Sequence, residues 1–201
     1  MIVRQLAVGP MQNFVYLLVD ESTREALVVD SGWEIAPILQ AVSEERAEVK
    51  FVVATHGHFD HISSIEELAQ KLGAKTVAHV DSSIHPAVPV KDGDVLKLGK
   101  TDVKVLSTPG HSKDGICLYD GQNLFTGDTL FIGNCGRTDL AGSSARKMFE
   151  SLHEVIMKLP PDTIVYPGHD YGEVPSRALG EEKKRNLVLL AGTFEDFFGI
   201  E

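Results

Sequence analysis

Cysteine is scarce in this chain of 201 residues: Cys117 and Cys135 are the only two. Two thiols cannot build a disulfide framework, and their number fits a reducing compartment. Cys117 falls in the alternating run Ile116-Cys117-Leu118-Tyr119 and is read as a buried, inert thiol. Cys135 lies in a Gly-rich loop, where packing and proximity to a site both remain open. Long apolar runs are also missing. Nothing approaches the ~18 consecutive apolar residues of a membrane span, and the start Met1-Ile2-Val3-Arg4-Gln5-Leu6 lacks the apolar core of a secretion signal. The expectation is a cytoplasmic protein with no membrane partner. Positive charge is in deficit, since 19 Lys and Arg against 29 Asp and Glu leave a net charge of −10. Basic residues are scattered except for Lys183-Lys184-Arg185, which Glu181 and Glu182 offset, so no nucleic-acid partner is expected. Neither a Gly-x-Ser-x-Gly elbow, a Gly-rich phosphate loop, a short-period repeat nor a low-complexity linker occurs.

What is present has an ordinary globular composition, 43% hydrophobic and 24% charged. The length suits one domain over residues 1–201, ending in a short C-terminal helix and tail from about residue 178. Met1–Val8, Asn13–Val19 and Glu25–Asp30 read as strands of an antiparallel meander, followed by a helical pattern over Glu34–Arg46 and a buried-type strand Val49–Ala54. Ile62, Ile65, Leu68, Ala69 and Leu72 fall at helical spacing, with Gly73 placed to stop the helix. Further strands are expected at Lys75–His79, Val95–Leu98, Val103–Ser107, Gly115–Tyr119, Asn123–Thr126 and Thr163–Tyr166. A long helix from Ser143 or Ser144 to about Lys158 is stopped by Pro160-Pro161, and another helix lies around Glu181–Ala191. Two successive sets of strands, each with helices, predict two sheets packed face to face with helices outside. The tail Phe194-Glu195-Asp196-Phe197-Phe198 is expected to dock on the core, with a homodimer contact as the alternative.

The segment Thr55-His56-Gly57-His58-Phe59-Asp60-His61 follows the strand Val49–Ala54 and occupies a strand-to-helix loop. In an extended loop, side chains two apart point the same way, so His56 and His58 can grip one ion together. Asp60 and His61, where the chain turns into the helix, can be aimed at a second. Imidazole suits zinc and iron, and a carboxylate adds charge and hardness. Downstream, His111 in Thr108-Pro109-Gly110-His111-Ser112, Asp128 in Thr126-Gly127-Asp128-Thr129 and His169 in Pro167-Gly168-His169-Asp170-Tyr171 each follow a strand-like run. Loops leaving one edge of a sandwich can converge on a point. His79, His85 and His153 lack that context and are read as structural.

This order of residues resembles the metallo-β-lactamase superfamily, whose pattern of Thr-His-x-His-x-Asp-His, then His, Asp and His, is matched here by Thr55–His61, His111, Asp128 and His169. The resemblance implies an α/β fold, the αββα four-layer sandwich. It also implies one metal on His56, His58 and His111, a second on Asp60, His61 and His169, and Asp128 bridging, with Asp60 and Asp128 as the catalytic carboxylates. An aspartate like Asp30 lies beneath the site in that family; from the residues alone, Asp30 reads equally well as a strand-terminal turn residue.

Two metals ~3.5–4 Å apart lower the pKa of a bridging water toward neutrality, so a complete ligand set favours hydrolysis. Gly127–Phe131, Cys135-Gly136-Arg137 and Pro167–Tyr171 are similar to the glyoxalase II group, short single-domain branch, which hydrolyses S-acylglutathione thioesters with a bridging hydroxide on two divalent ions, zinc, iron or manganese. That likeness implies a small-molecule thioester or thiol as substrate, with Arg137 and Tyr171 bordering its pocket. Cys135–Leu140, Gly168–Gly172 and Gly180–Lys184 are also similar to the persulfide dioxygenases. These keep the seven residues but use one Fe(II) on two His and one Asp, here His56, His111 and Asp128. Phe59 and Arg185-Asn186-Leu187 depart from that second pattern, and the hydrolase is the preferred expectation.

Overall fold

The computed structural model describes residues 1–200. Its first sheet holds six strands in chain order. These are β1 (Ile2–Val8), β2 (Asn13–Val19), β3 (Glu25–Val29), β4 (Glu48–Val53), β5 (Lys75–His79) and β6 (Val88–Val90). The second sheet also has six, running from β7 (Val95–Leu98) through β8 (Thr101–Ser107), β9 (Ile116–Tyr119), β10 (Asn123–Gly127) and β11 (Ile164–Pro167) to β12 (Arg177–Ala178). Helices α1 (Ala36–Glu45), α2 (Phe59–Ile62) and α3 (Ile65–Leu72) belong to the first half of the chain, and α4 (Ala145–Glu150), α5 (Leu179–Arg185), α6 (Leu187–Leu190) and α7 (Phe194–Phe198) to the second. The αββα sandwich expected from the sequence is the fold observed.

Period-two burial explains the layering. Every residue of β2 is buried, because both faces of its sheet are covered. Val15, Leu17 and Val19 join Ala26, Val28 and the inner residues of α1 and α3 in one core. Phe14, Tyr16 and Leu18 point the other way, into a second core shared with Val103, Val105, Leu118 and Phe125 of the opposite sheet. A third core, around Leu124, Val165, Met148, Leu152 and Phe197, joins the second sheet to its own helices.

β1, β2 and β3 form the antiparallel meander, whereas β3, β4 and β5 are parallel, with α1 and α3 in the crossovers. Some elements differ from the sequence pattern. β6 was hidden because it reads Val-Pro-Val, and an edge strand is where a sheet tolerates proline. The helix capped by Ser144 is α-helical only to Glu150, continuing as a wide π turn and a 3-10 turn to Lys158. Asn186 breaks the predicted C-terminal helix into α5 and α6. In the tail, Phe197 is fully buried against Phe149 while Phe198 stays exposed.

One hydroxyl crosses between the sheets. Tyr16, 2% exposed, donates from Oη to the Pro167 carbonyl at 2.5 Å and accepts from Gln5 Nε2 at 3.1 Å, its ring lying edge-on to Phe125 and Tyr166. Tyr16→Phe would leave a buried carbonyl without its donor. The expected loss is about 1–3 kcal/mol, read as a lower urea midpoint with an unchanged slope.

Candidate metal centre

The site grows from strand ends on one edge of the sandwich. Where β3 stops, Asp30 takes a left-handed φ of +58° and turns its carboxylate under the next strand's loop. Oδ1 accepts from the Thr55 backbone N–H at 2.8 Å, while Oδ2 accepts from Thr55 Oγ1 at 3.0 Å and pairs with His61 Nδ1 at 2.8 Å. Of the two readings left open for Asp30, the structure therefore supports the residue beneath the site. Gly32 is needed beside it, because a Cβ there would lie 1.6 Å from the Asp60 carbonyl oxygen.

The extended loop after β4 aims His56 and His58 together: Nε2 of one lies 3.1 Å from Nδ1 of the other. His111, from the loop after β8, brings its Nε2 to 2.9 Å from the same Nδ1. In the first turn of α2, His61 places Nε2 3.2 Å from His169 Nε2 and 3.3 Å from Asp60 Oδ2. Asp128, just past β10, stands between the two groups. Its Oδ2 is 3.4 Å from both His111 Nε2 and His169 Nε2, and its Oδ1 is 3.4 Å from His61 Nε2. Gly168 makes room for it, since a Cβ there would lie 2.4 Å from Asp128 Oδ1.

Three overlapping groups have ligand atoms within 4.8 Å of one another: His56, His58 and His111; Asp60, His61 and His169; and His56, His61 and Asp128. Two of the outer nitrogens are already used. Because a carbonyl only accepts, His111 Nδ1 must donate to the Arg137 carbonyl at 2.8 Å, and His169 Nδ1 to the Met11 carbonyl at 2.9 Å. In the neutral form of each ring this leaves Nε2 as an inward-facing lone pair. Asp60 is steadied from behind by Asn13 Nδ2, at 2.9 Å from Oδ2, and Asn13 in turn accepts from Trp33 Nε1 at 2.6 Å. Asp128 Oδ1 is buried without a hydrogen-bond partner. Facing lone pairs and an orphaned carboxylate oxygen fit divalent cations, and a nitrogen and oxygen donor set suits zinc or iron.

Without a cation the protons distribute unevenly. Burial lowers the pKa of His56, and the neighbouring His61 lowers it further; burial and His111 lower that of His58. Burial also opposes charge on His61, but Asp128 and Asp30 outweigh it and hold this imidazole well above its ordinary value. His169 is raised too, burial being outweighed by its hydrogen bond to Asp128. Burial would raise both Asp128 and Asp60, yet the imidazoles keep both carboxyls below the usual carboxylate range.

Beside the ligands opens a cavity of about 760 Å³ whose walls include Met11, Phe59, Phe131, Leu140, Arg137 and Tyr171. Tyr171 stacks on His169 at 4.6 Å, with its hydroxyl 3.3 Å from the Met11 carbonyl. Arg137 is exposed and holds Asp139 in a two-point pair at 2.5 and 2.6 Å. Cys135 is buried and lines this cavity. Cys117 is fully buried, which pushes its thiol up to about 11. His79, His85 and His153 belong to none of the ligand groups among the described residues, and His153 stacks on Phe149. Sequence reasoning missed Asn13 and Trp33; the one signal was an amide side chain opening an otherwise apolar run, Asn13-Phe14-Val15-Tyr16-Leu17-Leu18-Val19.

His61 and His169, with raised pKa values, must each give up a proton before accepting a cation, so metal loading near neutral pH releases protons. Proton competition grows as pH falls. Calorimetric titration in buffers of different ionisation enthalpy should therefore show proton release, and affinity at the pocket of Asp60, His61 and His169 should fall at least about tenfold between pH ~8 and ~6.

The sequence profile of the Metallo-beta-lactamase superfamily matches residues 8–169. A probable zinc-dependent hydrolase of polyketide biosynthesis from Bacillus subtilis is 33% identical over 181 residues, covering 87% of this chain and 80% of that protein. The human mitochondrial persulfide dioxygenase is 34% identical over 204 residues, covering 98% of this chain and 80% of its own length. Among solved structures, that of ETHE1 from Myxococcus xanthus superposes with a TM-score of 0.94 at 36% identity, covering 100% of this chain and 89% of the other. No helix among the described residues is long and apolar enough to cross a membrane.

Proposed function

Because the chain belongs to the metallo-beta-lactamase superfamily, we propose that it is a dinuclear metal-dependent hydrolase of the glyoxalase II type, cleaving a thioester such as an S-acylglutathione. The observation that carries this reading is the support behind the second pocket. Asp60 is held by Asn13, His61 by Asp30 and His169 by the Met11 carbonyl, so none of the three is left to find its own orientation. Such backing is what an occupied ligand position requires. The B. subtilis hydrolase relative supports the same direction.

His56, His58 and His111 would hold one ion, Asp60, His61 and His169 the other, with Asp128 shared. When bound, divalent ions supply Lewis acidity toward a carbonyl and make water available as a nucleophile near neutral pH. The chain's own residues do the rest. Met11, Phe59, Phe131 and Leu140 give the acyl group an apolar, water-poor wall, and the Tyr171 hydroxyl, weakly engaged at 3.3 Å, can turn to the substrate as a donor. In the overall reaction water adds to the thioester carbonyl, the C–S bond breaks, and acid and thiol leave with the protons of the water shared between them.

The second reading is a mononuclear Fe(II) dioxygenase acting on a glutathione persulfide, favoured by the likeness to the human and M. xanthus proteins. Metal analysis of anaerobically purified protein, with thiol release and oxygen uptake assayed in parallel, separates the two. About two metal equivalents and free thiol from an acylglutathione are expected; one iron, oxygen uptake on the persulfide and no thioester cleavage would overturn the hydrolase. Asp128→Ala should lose metal and activity together. Asn13→Ala should weaken the second equivalent by roughly 10- to 100-fold and lower kcat with it, whereas a one-iron enzyme would keep its activity.

A further inference from the structure

One carboxylate outside the ligand groups is as deeply buried as any of them. Glu182 of α5 is 0% exposed. Its Oε2 accepts from the Gly133 backbone N–H at 2.8 Å and from Asn186 Nδ2 at 2.9 Å, and its Oε1 from Arg177 Nη1 at 3.0 Å. Asn186, equally buried, also directs Nδ2 toward the carbonyls of Phe131 and Asn134, both at 3.3 Å. Three of these contacts converge on the short segment 131–134, and the bond between Asn186 and Glu182 ties the two gripping side chains to each other.

A buried carboxylate is costly unless its oxygens are satisfied, and an apolar side chain would serve the third core better if filling space were the only need. The segment it grips matters to the site. Phe131, Ile132, Asn134 and Cys135 line the 760 Å³ cavity. The Phe131 ring meets Tyr171 edge-on at 5.5 Å and His169 at 5.9 Å. Ile132 seats against Gly172, where a Cβ would lie 2.5 Å away. Gly133, with φ of +87°, turns the chain so that its N–H points inward to Glu182.

We propose that Glu182 and Asn186 are positioning residues. Together they lock the 131–135 wall against α5 and α6 and so fix where the Phe131 ring stands over His169 and Tyr171. The wall thereby sets which acyl groups fit the cavity. The acyl selectivity rests on the hydrolase reading; the strut and its effect on the wall do not.

Native-state hydrogen exchange on the metal-loaded protein tests the strut directly. In the unmodified chain the amides of Phe131, Gly133 and Cys135 should be protected to the same degree as those of α5, within about tenfold. Exchange at Gly133 more than about a hundredfold faster than in α5 would overturn the proposal without any variant. In Glu182→Gln these amides should exchange at least about tenfold faster while β10 and the metal content stay as they were. KM for a bulky aryl-acyl thioester should rise about tenfold, kcat falling by no more than about threefold, and the preference for bulky over acetyl thioesters should shrink. Unchanged exchange at 131–135 in a folded Glu182→Gln, or metal lost in step with the wall, would sink the idea. If the unmodified protein cleaves no thioester at all, the exchange measurements still decide the strut, and the failure counts against the hydrolase reading alone.

Discussion

Five imidazoles and two carboxylates turned toward one another at the edge of an apolar sandwich set the terms for everything around them. Nitrogens 2.9 to 3.2 Å apart repel as cations and gain nothing as facing lone pairs, so the arrangement leans on the two carboxylates between the rings and on what holds the rings from outside. The strand-end turn at Asp30, the close approach of Gly32 and Gly168, and the carbonyls of Met11 and Arg137 all answer that demand. The ligands are the visible part of the site; its cost in folding is met by the backbone around them.

The fold and the gathering of the ligands were legible because each rests on a local pattern. Period-two hydrophobicity in Asn13–Val19 and Glu25–Val29 marks strands, and strands followed by His or Asp mark the edge where loops meet. Less legible were features set by distant partners. Nothing near Asn13 in the sequence announces Asp60, and nothing around Glu182 announces Gly133. β6 was obscured by its proline, and the helix break at Asn186 by the apolar Leu187–Leu190 that continues past it.

Arg137 shows how a pattern can locate a residue without giving its task. The resemblance put it beside the pocket, and it does line the cavity. Yet its side chain grips Asp139 while its backbone carbonyl orients His111. An exposed ion pair is worth little, typically ~0–1 kcal/mol, so the guanidinium is only weakly held where it stands. The carbonyl's task is independent of the side chain, so a substitution at this position leaves the hold on His111 in place.

The hydrogen bond from His169 to Met11 joins a late loop to the first turn of the chain, and Asn13 on that same turn reaches Asp60 in between. The second pocket thus joins three segments that lie far apart in sequence. It cannot close until β11 has docked beside β10 and set His169 against the turn that carries Met11 and Asn13. His56 and His58, by contrast, lie two residues apart and face each other through one local loop, so the two groups differ in how much of the fold must be in place before their side chains meet.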